Sequence, residues 1–199
     1  MPYSQFTTLA SALNAFSLTL SEQRFFPTLD PIAPSEILRS YLEETLPIAA
    51  SGSEKMRSEG IIYPVLIEVR RILNRQVAVF SGEDFSVDEA VGLNGIVDFL
   101  ISRSPIISTI VAPAAVIVEA KKADIKSGYG QCVAEMVAAQ RFNQVSPQIL
   151  PAIFGCVSNG TQWRFLQLKE QTVTIDLTDY PLPPVEQILG FLVWMLQQS

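Results

Sequence analysis

Histidine is absent from the whole 199-residue chain. Its absence excludes the imidazole general base, the Ser-His-Asp and Cys-His arrangements, and the usual zinc sites. Any chemistry must use carboxylates, lysine, hydroxyls or a hard metal. Cysteine is scarce, with only Cys132 and Cys156. Each lies in an apolar periodic segment and neither belongs to a CxxC or zinc spacing, so two buried thiols in a reducing compartment are expected. Charge is sparse as well, at 17% of residues against 48% hydrophobic, which is a globular and not a disordered composition. The formal net charge of −6 argues against holding nucleic acid by bulk positive charge and leaves room only for a local basic groove beside an acidic site. Long hydrophobic runs are missing too. The stretch FLVWML near the C-terminus is far too short to span a bilayer, and MPYSQFTTLA lacks the charged start and apolar run of a signal peptide. A cytoplasmic protein with no membrane partner is expected.

What is present reads as one domain over residues 1–199, without repeats, low-complexity stretches or a linker. After a short N-terminal helical extension, FFPTLDPIAP reads as an ordered lead-in. Ser35 can cap a first helix, with Glu36 at the positive end of its dipole. Ile37, Leu38, Tyr41, Leu42, Thr45 and Leu46 then recur at helical spacing, and Pro47 marks the expected end. A second helix begins after Ser53 and carries an apolar stripe from Met56 to Leu73, which Pro64 should kink or split. Residues 76–80, 95–102 and 114–121 read as strands, and their near-continuous apolar runs suggest burial on both faces. A helix follows over 131–142. Strands are expected over 153–157, 162–168 and 172–177, with a last helix over 185–196. That helix is apolar on almost every side, so it is buried in the core or against another subunit. With few charges and a mean hydropathy of +0.28, a homodimer is expected. The fold class implied is α/β, a mixed sheet flanked by helices, with C-terminal strands plus helix after the core.

Three charged residues interrupt these apolar strands. Asp98 stands in the middle of IVDFLI, where an ionised carboxylate is costly unless paired or bound to a cation. Glu119 and Lys121 end the run AAVIVEAK, and residues two apart on a strand share one face. Adjacent strands lie about 5 Å apart, so two carboxylates and one lysine can meet. A hard cation such as Mg²⁺ takes carboxylate and carbonyl oxygens plus water, and a lysine beside it can orient water or stabilise charge on a phosphate.

VDFLIS followed by VEAKK resembles the PD-(D/E)XK nuclease superfamily, the restriction-endonuclease-like fold, over residues 53–157. The resemblance implies a core of helix, three strands, helix and strand. It places an aspartate on the second strand, matched by Asp98, and (D/E)-X-K on the third, matched by Glu119, Ala120 and Lys121. SEKMRSEGIIYPVL resembles the opening of the nuclease domain in the motor subunit of type I restriction enzymes, and the chain as a whole resembles cyanobacterial proteins of this superfamily. Many members add a carboxylate on the first helix; Glu54 is the candidate here and Glu59 its rival. Some use a glutamine on the helix after the third strand, matched by Gln131. The recombination-nuclease subset has a tyrosine four residues later, where this chain has Glu135. Val97 stands where a proline often precedes the aspartate.

The resemblance implies metal-dependent phosphodiester hydrolysis of nucleic acid, in particular DNA. Asp98, Glu119 and the Ala120 carbonyl would ligate Mg²⁺ or Mn²⁺, Lys121 would position water, and Gln131 and Glu54 would be further site residues. Two other uses stay open: a module that keeps the fold and binds nucleic acid or protein without cutting, and a structural ion-pair network. Lys122, Lys126 and Arg141 are candidates for a basic groove or simply a solvated face. Trp163 and Trp194 read as packing residues.

Overall fold

A computed structural model describes residues 2–198. The chain opens with α1 (Leu9–Ala15), capped by Thr8, and β1 (Thr19–Glu22). After the lead-in come α2 (Glu36–Ser51), α3 (Glu54–Arg57), a π-turn (Ser58–Ile62) and α4 (Tyr63–Ile72). The meander β2 (Ala78–Asp84), β3 (Ile96–Ser102) and β4 (Ala114–Ala120) follows, then α5 (Tyr129–Phe142), β5 (Ile153–Ser158), β6 (Gln162–Lys169), β7 (Thr172–Ile175), β8 (Tyr180–Pro181) and α6 (Glu186–Gln197).

All eight strands join one mixed sheet in the order β1-β7-β6-β5-β4-β3-β2, with β8 added to β6. β2, β3 and β4 are antiparallel neighbours, whereas β4 and β5 are parallel because α5 carries the chain back between them. One face of the sheet is covered by a core that draws on Leu38 and Leu42 of α2, Val65 and Leu66 of α4, and Ile188 and Leu192 of α6. The other is covered by α1 and α5, through Ala12, Cys132, Val133 and Met136. The architecture is therefore α/β in three layers. Among the described residues no helix is long and apolar enough to cross a membrane.

Two prolines behave differently. α2 does not stop at Pro47 but runs on to Ser51. Pro47 is exposed, so the carbonyl deprived of its helical donor can turn to water, and the helix ends only at Gly52. Pro64 does not end its helix but distorts it: the chain stays helical from Glu54 to Ile72, and the turn before the proline widens into the π-turn. The Gly60 carbonyl, four residues before the proline and without its helical N–H, accepts the Thr45 hydroxyl at 2.7 Å instead.

The N-terminal extension is not only helical. Thr19 to Glu22 is largely exposed and shows no alternating pattern. It becomes a strand because the free edge of β7 offers parallel partners from Thr172 to Ile175. β2 also outruns its expected end in SGED, because pairing with β3 continues to Asp84–Ile96. The apolar last helix finds its cover inside the chain. Ile188, Leu189, Leu192, Met195 and Leu196 of α6 are buried, and Phe26 of the lead-in stacks on Phe191 with ring centroids 4.1 Å apart. Of the two placements its apolar surface allowed, α6 takes the one in the core.

Trp163 and Trp194 pack as expected. Trp163 is fully buried and donates Nε1–H to the Gly160 carbonyl at 2.9 Å. Trp194 meets Phe26 and Phe154 edge-on. Cys132 and Cys156 are free, buried thiols.

Candidate active site

The ladder between β3 and β4 runs out at Phe99 opposite Val118. One step on, the Asp98 side chain takes over from the backbone: its Oδ2 accepts the Ala120 N–H at 2.8 Å. Asp98 is thereby tied across the strand ends while remaining half-buried. On its other side the pairs Ser81–Phe99 and Glu83–Val97 bracket Gly82. Gly82 has φ +67° and open space where a side chain would stand.

Glu119 pairs in register with Val157 of β5 and is fully buried. Its Oε1 accepts a hydrogen bond from the Lys121 ammonium. Its Oε2 is buried without a partner, a costly condition for a carboxylate. Desolvation above all, and next the charge of Asp98, push the Glu119 carboxyl up to about 8 against the pull of Lys121. Burial alone would lower the Lys121 ammonium, yet the charges of Glu119, Asp98 and Glu54 together hold it above its ordinary value. The two shifts describe one imbalance. A single ammonium does not neutralise the acids around it, and the surplus falls on Glu119, the most buried of them.

The surrounding backbone keeps this group in place. The Lys121 N–H donates to the Ser158 carbonyl at 2.8 Å, which fixes the end of β4 to β5. Gly128, just before α5, lies so close that a Cβ there would come within 3.1 Å of Glu119 Cγ and of Lys121 Cε, and within 2.7 Å of Val157 Cγ1. A larger residue at 128 would have to push these side chains aside.

The other candidates divide. Glu54, in the first turn of α3, is exposed, but its field reaches both Glu119 and Lys121. Glu59 instead faces Lys55 at 3.7 Å in an open i,i+4 pair, a contact of little energetic weight. Gln131 lies on the first turns of α5 and donates Nε2–H to Glu135 Oε1 at 3.1 Å. Lys122 and Lys126 are exposed on the segment between Lys121 and α5. Arg141 is elsewhere: it pairs with Asp88, ten residues and about 15 Å along α5 from Gln131. Tyr129, the first residue of α5, keeps a buried hydroxyl without a partner, and desolvation pushes it up to about 12.

Glu135 is the residue that sequence reasoning did not place in the site. It is fully buried on α5. Desolvation, then the charge of Glu119, raise its carboxyl well above the usual range, and Asp98 adds to this. The available signal was a glutamate four residues after Gln131, hence on the same helix face, set among apolar neighbours.

Among the described residues no group of three or more His, Cys, Asp or Glu side chains is arranged to hold a metal ion. The candidate donors are the carboxylates of Asp98 and Glu119, near enough for the charge of the first to raise the second. A hard cation completed by backbone carbonyl and water needs no third side chain, and Glu119 Oε2 is a carboxylate oxygen without a hydrogen-bond partner among the described residues. The residues present therefore fit Mg²⁺ or Mn²⁺ and do not fit a soft metal. Comparison with known proteins finds no match to this chain among family models, curated proteins or solved structures.

Proposed function

We propose that the chain is a metal-dependent phosphodiesterase of the PD-(D/E)XK type, built on the restriction-endonuclease-like fold and acting on DNA. The observation that carries the reading is the Lys121–Glu119 ion pair at the end of β4, beside Asp98, whose carboxylate binds the Ala120 N–H, with a buried oxygen of Glu119 left unpaired. The order α4, β2, β3, β4, α5, β5 supports it, since this is the order the resemblance implies, with the aspartate on its second strand and the E-x-K on its third.

Asp98, Glu119 and the Ala120 carbonyl would hold Mg²⁺ or Mn²⁺. Bound there, the cation would act as a Lewis acid and ease deprotonation of water at neutral pH. Lys121 would orient the attacking water and stabilise negative charge on the phosphate as it develops. Glu54 would stand at the rim of the site and Gln131 on its α5 side. Lys122 and Lys126 supply local positive charge for a polyanion that the net charge of −6 would otherwise repel.

The test is cleavage of single-stranded, duplex and branched DNA with Mg²⁺ or Mn²⁺, alongside metal titration, for wild type, Asp98→Ala and Lys121→Ala. Cutting by wild type and not by the variants is expected. A chain that neither cuts nor binds metal ends this reading. The direct Lys121–Glu119 ion pair favours one alternative, a structural charge network. On that account Lys121→Ala lowers stability and no metal affinity is found.

A further inference from the structure

Glu135 is a second buried acid beside the proposed site, and the fold supplies it with little. Its side chain has no solvent exposure. One oxygen accepts the Gln131 amide at 3.1 Å and the other has no partner at all. The neighbouring residues of α5, Ala134 and Met136 among them, are fully buried apolar groups. A glutamate of no use here would be readily replaced by leucine or methionine, because an incompletely bonded buried acid is less stable than an apolar residue of its size. Glu119, a like charge, acts on it more strongly than the lysine Lys121, and among the described residues it makes no direct ion pair.

The hydrogen bond it does make has a geometric consequence. An amide carries its nitrogen and oxygen on opposite sides, and a carboxyl oxygen acting as acceptor selects the nitrogen. With Nε2 turned to the fully buried Glu135, Gln131 Oε1 must point away from it. Gln131 is itself only partly buried. Its oxygen is not used by Glu135, and Gly128, three residues earlier on the same face of the chain, borders Glu119 Cγ and Lys121 Cε.

We propose that Glu135 is a positioning residue that sets the amide orientation of Gln131 and thereby completes the site around Asp98, Glu119 and Lys121. This rests on the metal-dependent reading above and adds to it a residue acting through another. A partner that orients a group at a metal site typically changes metal affinity by about tenfold to a hundredfold.

The experiment is Mn²⁺ titration by calorimetry, with thermal unfolding and DNA cleavage on the same proteins: wild type, Glu135→Leu, Glu135→Gln, Gln131→Met and the double variant Glu135→Leu/Gln131→Met. Glu135→Leu should weaken Mn²⁺ binding about tenfold and lower kcat more than it alters KM, while the melting temperature holds or rises. Glu135→Gln keeps an acceptor for the amide and should recover most of that loss. The double variant should be no worse than either single one, as expected for residues that act as a unit. Gln131→Met removes the amide at a partly exposed position and tests the same link if Glu135→Leu does not fold. Normal Mn²⁺ affinity in Gln131→Met or Glu135→Leu, or additive losses in the double variant, overturns the positioning role while leaving the nuclease reading intact. Wild type that neither binds Mn²⁺ nor cuts overturns both.

Discussion

Two buried carboxylates in this molecule meet opposite treatment. Glu68 on α4 is almost wholly covered, yet every part of its carboxylate is bonded. It accepts the Ser35 N–H at 2.7 Å, the Ser35 hydroxyl at 3.0 Å, and two donors of Arg71 at 2.9 and 2.7 Å. The Arg71 hydrogen bonds, working against desolvation and aided by Ser35, hold its carboxyl below the usual value. Glu119 has one bond, from Lys121, one empty oxygen and a raised value. Glu68 is a finished structural joint between α4 and the cap of α2. Glu119 is only half bonded: Lys121 holds one oxygen and the other has no partner among the described residues.

The largest difference should appear in catalysis. Asp98→Ala and Lys121→Ala should lower metal-dependent DNA cleavage by about a hundredfold or more, the scale of removing one preorganised electrostatic partner. Glu68→Gln should leave the cleavage rate near that of wild type. Equal losses from both clusters would erase the contrast. Stability should run the other way. Glu68→Leu should lose about 2 kcal/mol in urea unfolding, because charge-assisted hydrogen bonds are broken and Ser35 is left without its acceptor. Glu119→Gln should shift the melting temperature little in the absence of metal, because the loss of the ion pair with Lys121 is offset by removing a buried carboxylate whose second oxygen has no partner.

The pH dependence separates the two by sign. Glu119 is raised from 4.5 to about 8. The unfolded chain therefore gives up that proton first, and stability falls as pH rises from about 4.5 to about 8. Glu119→Gln should flatten this part of the profile. Glu68 is lowered from 4.5, so its contribution is present above that value and is lost as pH falls through the folded value. Glu68→Gln should cost little in strong acid and most near neutrality. Melting curves across pH for the two variants check both slopes. The smallest effect should come from Ser35→Ala, about 1 kcal/mol for a lost N-cap, measured by chemical denaturation.

Much of the fold could be read along the chain, because strands and helices announce themselves by local period. The strands carrying Asp98 and Glu119 are apolar runs bounded by turn residues, and they lie within a residue or two of their expected limits. What misled was local punctuation whose cost depends on surroundings. Pro47 looks like a stop and is tolerated at an exposed position, while Pro64 only widens the helical turn before it. Thr19 to Glu22 carries no strand signal and becomes one through a distant edge.

The site shows the same division. Spacing alone puts Glu119 and Lys121 on one face of a strand, and consecutive antiparallel strands bring Asp98 beside them, so the trio is a matter of short-range geometry. Burial is not. That Glu119 loses all contact with water, that Gly128 must be small to let α5 close over it, and that Glu135 arrives from α5 beside two other acids all depend on how α5 crosses back between parallel β4 and β5. The amino-acid order sets which charges can share a strand face, because the pleat has a period of two. Only the packed layers decide which of those charges are stripped of solvent, because desolvation is a property of everything that surrounds a group and not of its neighbours in the chain.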